Sequence, residues 1–190
     1  MKTKVKRVSL FRVLRRELGP QLAAQGYVEQ PQNASSRTDH LLFFREPSRG
    51  PSHGFWFQRD VKANCVDALG SSFTLEFFRS LENRIASNGR RRAYFMLTAP
   101  ELEEMRVLQN NMIKRLPPPE SVLEPFQVKI CKRSLERGRQ PVDCAFNPCH
   151  DVWMRYRDEE DILAWTSFIG RLLPALAERF AALQSGTQVS

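Results

Sequence analysis

The sequence predicts an α+β fold: one antiparallel sheet of about five strands, with N-terminal and C-terminal helices packed on one face. Three observations lead there. Apolar residues recur at helical spacing near both ends of the chain and again after residue 98. The stretch from residue 39 to residue 98 instead breaks into short aromatic runs bounded by Gly, Pro, Ser and Asn. The strands are grouped rather than alternating with helices, which is the element order of α+β and not of βαβ units. A chain of 190 residues fits one domain, taken as 1–184 with a polar tail at 185–190.

The first helix is expected from Ser9 to Gln25. Val8, Phe11, Leu14, Leu18 and Leu22 recur at steps of three and four, while Lys6, Arg12 and Arg16 fall on the other side. Gly19-Pro20 predicts a kink, because proline removes an amide donor and crowds the preceding turn. Gly26 suits a left-handed C-terminal cap.

Strands are expected at Asp39 to Arg45, Phe55 to Val61, Phe73 to Arg79 and Ala93 to Thr98, with Leu81 to Arg92 read as a loop. A second helix follows from Thr98 to Leu116. Thr98 and Glu101 have capping-box spacing, and Leu102, Met105, Leu108, Met112 and Leu116 form its apolar stripe. Pro117-Pro118-Pro119 stops it. Phe126 to Lys132 alternates like a strand, and residues 133–150 read as a long loop.

The last helix has Asp158 as its N-cap and acids in its first turn, where the helix dipole favours them. Its apolar face runs through Ile162, Trp165, Ile169, Leu172, Leu173, Leu176, Phe180 and Leu183. Pro174 crowds the carbonyl of Gly170, and the missing side chain there eases the bend.

Composition bounds the function. Arg12, Arg15 and Arg16 interrupt the only candidate signal segment, and no apolar run reaches the length of a membrane span. The expectation is a cytoplasmic protein whose four cysteines stay reduced. A net charge of +8 favours acidic partners. The first sixteen residues hold seven Lys and Arg and no acid, and Arg90, Arg91 and Arg92 form a second cluster. A third cluster comprises Lys129, Lys132, Arg133, Arg137 and Arg139. Such clusters are often solvated surface, but they are also what phosphate contact requires.

Two constellations carry chemistry. Asp60-Val61-Lys62 places an acid and a lysine on one strand face and resembles half of the PD-(D/E)xK nuclease signature. That resemblance implies a metal held by Asp39 and Asp60, with Glu17 as a helical acid and Lys62 positioning water. Against it, no proline precedes Asp39, and a strand-end acid is commonly a turn former. Cys144, Cys149 and His150, with Cys131 upstream, offer zinc-ligand types, but their spacing is not that of paired knuckles. Buried reduced thiols packing as small hydrophobes are the more frequent case. No phosphate loop, nucleophile elbow or dinucleotide fingerprint is present, and no cofactor is expected.

Leu22 to Tyr27 reads L-x3-G-Y; the strands from Leu41 to Phe78 follow, and Trp153 precedes the acidic-capped helix from Asp158 to Trp165. This layout resembles a group of bacterial domains of unknown function. The resemblance implies a bacterial cytosolic origin and an α+β fold, and no activity. The functional expectation is therefore a non-enzymatic binding or accessory module whose acidic partner is nucleic acid. It would act through Lys6, Arg12, Arg16, Arg90, Arg91 and Arg92. The alternatives are a partner module for an acidic protein, as in a toxin–immunity pair, and the metal-dependent nuclease.

Overall fold

The computed structural model describes residues 9–30, 40–45, 52–59, 71–81, 84–122, 124–126, 128–129 and 154–184. The fold is α+β. Helix α1 is Leu10–Ala24, strands β1 to β5 are Val28–Glu29, His40–Arg45, Ser52–Arg59, Ser71–Leu81 and Arg84–Arg92, and α2 is Ala99–Lys114. A helical turn α3 (Pro119–Val122), a short strand β6 (Met154–Tyr156) and the long helix α4 (Glu159–Gln184) follow.

The sheet is antiparallel throughout, ordered β1-β2-β3-β4-β5, with β6 beside the start of β4. Register decides which side chains share a face. Leu41, Phe57 and Leu75 lie abreast, as do Phe43, Phe55 and Phe77, and these rows make the first face. The second face carries the rows Leu42-Trp56-Glu76-Arg92 and Phe44-Gly54-Phe78-Arg90. Side chains of the first face join Leu14, Leu18 and Leu22 of α1 and Ile162, Trp165, Leu173 and Phe180 of α4 in one buried core. That core is the dominant stabilising element, since each fully buried Leu or Phe contributes roughly 1.5–3 kcal/mol.

The terminal helices form where expected. Gly26 has φ +80°, the left-handed conformation that ends α1, and Tyr27 then turns inward against Phe55. The Thr98 amide donates to the Glu101 carboxylate at 2.7 Å, closing the capping box of α2. The Asp161 amide donates to the Asp158 carboxylate at 3.1 Å and caps α4. Gly170 has a second role that its sequence position did not suggest. A Cβ there would stand 3.2 Å from Leu18 and 3.0 Å from the Gln21 side chain, so glycine lets α1 and α4 approach closely.

Four expectations are corrected. Residues 84–92 form a strand, not a loop: the second half of β4 needs a partner for its backbone groups, and an arginine-rich segment is tolerated at a sheet edge. Its pairing jumps from Phe78–Arg90 to Ser80–Ile85, so residues 86–89 (Ala-Ser-Asn-Gly) bulge opposite Arg79. Ala93–Met96 is a 3-10 turn, which brings Ala93 and Met96 to the buried side and leaves Phe95 53% exposed. The described part of the expected strand at 126–132 is helical, with the Val128 amide donating to the Glu124 carbonyl and Phe126 71% exposed. Leu183, assigned to the buried face of α4, is half exposed, one turn past Phe180 where the core ends.

Two further strands escaped the sequence reading. β1 is only two residues long. β6 is three residues long and depends on side chains from both neighbouring helices. Gln109 of α2 accepts from the Arg155 amide at 2.9 Å, and the Trp165 indole of α4 donates to the Arg155 carbonyl at 2.6 Å. These bonds occupy backbone groups that an edge strand otherwise presents for aggregation.

Candidate nucleic-acid interface

The second face of the sheet concentrates aromatic and cationic groups. Trp56, half-buried on β3, stands at the centre. Its indole N–H donates to the Glu76 carboxylate at 2.9 Å, and the Arg90 guanidinium lies 4.7 Å above its ring centre. Phe78 packs against Trp56 at 5.5 Å and against Phe44 at 6.4 Å, and His40 approaches the other side of Trp56 at 6.3 Å. Glu76 and Arg90 thus hold the tryptophan from two directions, one through its edge and one through its face.

Gly54 makes this arrangement fit. A Cβ at that position would sit 2.4 Å from the tip of the Phe78 ring and 2.6 Å from the Phe43 carbonyl. The Phe78 ring therefore lies down over the glycine, which leaves it 1% exposed and makes it the floor of the cluster. Trp56 and Phe78 are the two aromatics of this face nearest the cationic strand, and they differ in access to solvent. Trp56 reaches solvent in part, and Phe78 does not.

Strand β5 adds charge beside this floor. Arg90 and Arg91 are exposed and Arg92 is half-buried. Register places Arg90 and Arg92 on the second face and Arg91 on the other. A guanidinium stacked on an indole still offers its outer plane and its N–H groups, so it can stack on a base or donate to phosphate.

The remaining residues singled out in the sequence are less gathered. Arg12 is exposed on α1. Arg16 is bound to Glu17 and, at 2.8 Å, to Glu159, so its guanidinium ties α1 to the start of α4. Neighbouring Arg15 is likewise bound to Glu29 of β1. Lys6, Asp39, Asp60, Lys62, Cys131, Cys144, Cys149 and His150 lie outside the described residues. Among the described residues no cluster of three His, Cys, Asp or Glu could hold a metal ion, and no helix is long and apolar enough to cross a membrane.

The other charged contacts are structural. Arg179 of α4 donates to both Glu101 oxygens, at 2.6 and 2.9 Å, and to the Met96 carbonyl at 2.9 Å. That guanidinium holds the Glu101 carboxyl down at about 2. Buried Asp161 binds Arg115 and accepts from the Arg157 amide at 2.8 Å, joining the end of α2 to the start of α4. No protein-family model, curated protein or solved structure matches this chain.

Proposed function

We propose that the protein is a non-enzymatic, cytoplasmic binding module for single-stranded nucleic acid. The observation that carries this reading is the Arg90 guanidinium stacked on Trp56 at the edge of a cationic strand. Stacking on a planar group together with phosphate contact is the sequence-tolerant way to hold a single strand. The net charge of +8 supports it by steering polyanions to the surface.

The test is a titration of labelled single-stranded DNA and RNA across salt, with and without chelator. Binding should leave the nucleic acid intact, ignore chelator and weaken steeply with salt. Replacing Arg90 and Arg91 together by Gln should lower affinity and reduce the salt slope by about 0.7 for every phosphate that is no longer neutralised. No binding by the unaltered protein at low salt, or a double variant that binds like it, would refute the reading. Magnesium-dependent cleavage would instead return attention to Asp60 and Lys62.

A further inference from the structure

A second cationic group lies on the opposite face of the sheet, with no carboxylate bound to it among the described residues. Register sets Arg45 of β2, His53 of β3 and Arg79 of β4 abreast. Alternation places all three on the first face, one row beyond Phe43, Phe55 and Phe77. Side chains directly opposite on antiparallel strands have Cβ atoms about 5 Å apart, and like charges at that spacing destabilise a sheet. The ordinary remedy is a carboxylate in the row, but the described neighbours of this row on the first face are aromatic. The Phe180 ring of α4 meets His53 edge-on at 6.2 Å. Arg45 reaches back toward the end of α1, where a Cβ on Gly26 would be 3.7 Å from its Nε. The same charge acts on the buried Tyr27 phenol.

The hydrogen bonding is incomplete in a directed way. Nδ1 of His53 and Nε of Arg79 are both buried, and both lack a hydrogen-bond partner among the described residues. The Nε–H of arginine can only donate, so what is missing beside Arg79 is an acceptor. The ion pairs formed among the described residues include neither Arg45 nor Arg79. Buried polar groups in native proteins are satisfied in the great majority of cases, so two orphan nitrogens in one cationic row suit the row to an anion. Arg45 is exposed and gives the row access to solvent.

We propose that Arg45, His53 and Arg79 form a binding site for a phosphate group. Two guanidinium groups and an imidazole can together balance a phosphomonoester dianion and donate to several of its oxygens. Buried Tyr27 and Phe180 adjoin Arg45 and His53 and close the inner side of the row. The site does not rest on the Trp56–Arg90 cluster, which occupies the other face, so either can fail alone. Burial together with the charges of Arg79 and Arg45 holds the His53 imidazole below its ordinary range. An arriving anion reverses that preference and favours the protonated ring.

The experiment is calorimetric titration of the full chain with inorganic phosphate, against chloride at matched ionic strength, in parallel with the variants Arg45→Gln and Arg79→Gln. Circular dichroism confirms folding; Arg45 is exposed, so its variant keeps the test decisive if the Arg79 variant fails to fold. Phosphate should bind saturably to the unaltered protein. Each variant should bind it about tenfold more weakly or worse, the scale of one charge-assisted hydrogen bond. No binding above chloride would overturn the proposal, and so would binding that survives in Arg45→Gln.

Competition then separates the sources of phosphate. Displacement by a short 5′-phosphorylated oligonucleotide, but not by its unphosphorylated form, assigns a terminal nucleic-acid phosphate. Failure of both to displace assigns a small phosphorylated ligand. A final arm uses sulfate, whose charge is constant across the range. Its affinity should rise as pH falls from about 8 to about 5, because His53 takes up its proton with the anion. The groups facing His53 are Arg45 from β2, Arg79 from β4 and the non-titrating Phe180 from α4, so no other described neighbour supplies that profile. A flat profile would remove His53 from the site and overturn the assignment.

Discussion

Gly54 is a position where one methyl group would cost the fold heavily. Its neighbours are the Phe78 ring and the Phe43 carbonyl; one is locked in a packed cluster and the other is backbone, so neither can yield cheaply. Gly54→Ala should destabilise the protein by about 3 kcal/mol, through the forced movement of Phe78, as measured by denaturant unfolding. Trp56 should move with it, which near-ultraviolet dichroism would report. Glu101 is a second single residue with several duties, serving the α2 cap and Arg179 at once. Its folded-state carboxyl sits at about 2 and its unfolded value is 4.5. The depressed value makes its contribution fully present above the unfolded value, and it is lost as pH falls from 4.5 toward about 2. Glu101→Gln should cost about 1–2 kcal/mol at neutral pH and flatten acid unfolding in that window. His53 works in the opposite sense to an ordinary stabilising histidine. Its pKa is lowered on folding, so the unfolded chain takes up the proton first and stability falls as pH drops through the unfolded value near 6.5.

At the scale of elements, β6 shows how a strand of three residues can be specified from outside itself. Its partner is the start of β4, and its outer edge is occupied by Gln109 and Trp165. Gln109→Leu should remove the side-chain acceptor from the part-buried Arg155 amide, at a cost of about 1–2 kcal/mol. Hydrogen exchange at that amide should accelerate well beyond what the global change in stability explains. The junction of α2 with α4 follows the same logic, since Asp161 is buried and its charge is compensated by Arg115 and the Arg157 amide. Helix α1 is held differently. Its inner face carries Val13, Leu14, Leu18 and Leu22 into the core. The outer pairs Arg15–Glu29 and Arg16–Glu159 are exposed and contribute under about 1 kcal/mol each.

The whole molecule separates its charge into two uses. Around α1 and α4, Arg15, Arg16, Arg171 and Arg179 are neutralised by specific carboxylates and serve as joints. On β5, and in the row of Arg45, His53 and Arg79, the sheet presents cations beside aromatic side chains instead. The double replacement of Arg90 and Arg91 should therefore leave the melting temperature within a degree or two, since exposed edge arginines add little to stability, while nucleic-acid affinity falls. A comparable double change at Arg15 and Arg16 should leave binding nearly untouched. Comparing the two variants in one salt series checks whether position matters beyond net charge.

How much was legible follows from the range of each signal. Helical spacing located α1, α2 and α4, and the capping residues Thr98 and Asp158 are where local chemistry placed them. Short aromatic runs located β2, β3 and β4 to within a few residues. These features depend on neighbours within one or two turns, and the sequence by itself determined them. Strands β5 and β6 were not legible, because Arg-Ile-Ala-Ser-Asn-Gly does not alternate and the three residues Met-Arg-Tyr are too few to establish a period. They are strands because β4 has an edge to satisfy. The same holds for both candidate sites. Alternation put Trp56 on a face, but register alone brought Glu76 and Arg90 to it. Three residues separated by 8 and 26 positions became a row only when β2, β3 and β4 paired. Periodicity is a property of adjacent residues, whereas a site is a property of pairing. Only the tertiary structure decides which distant side chains share a few ångströms of surface.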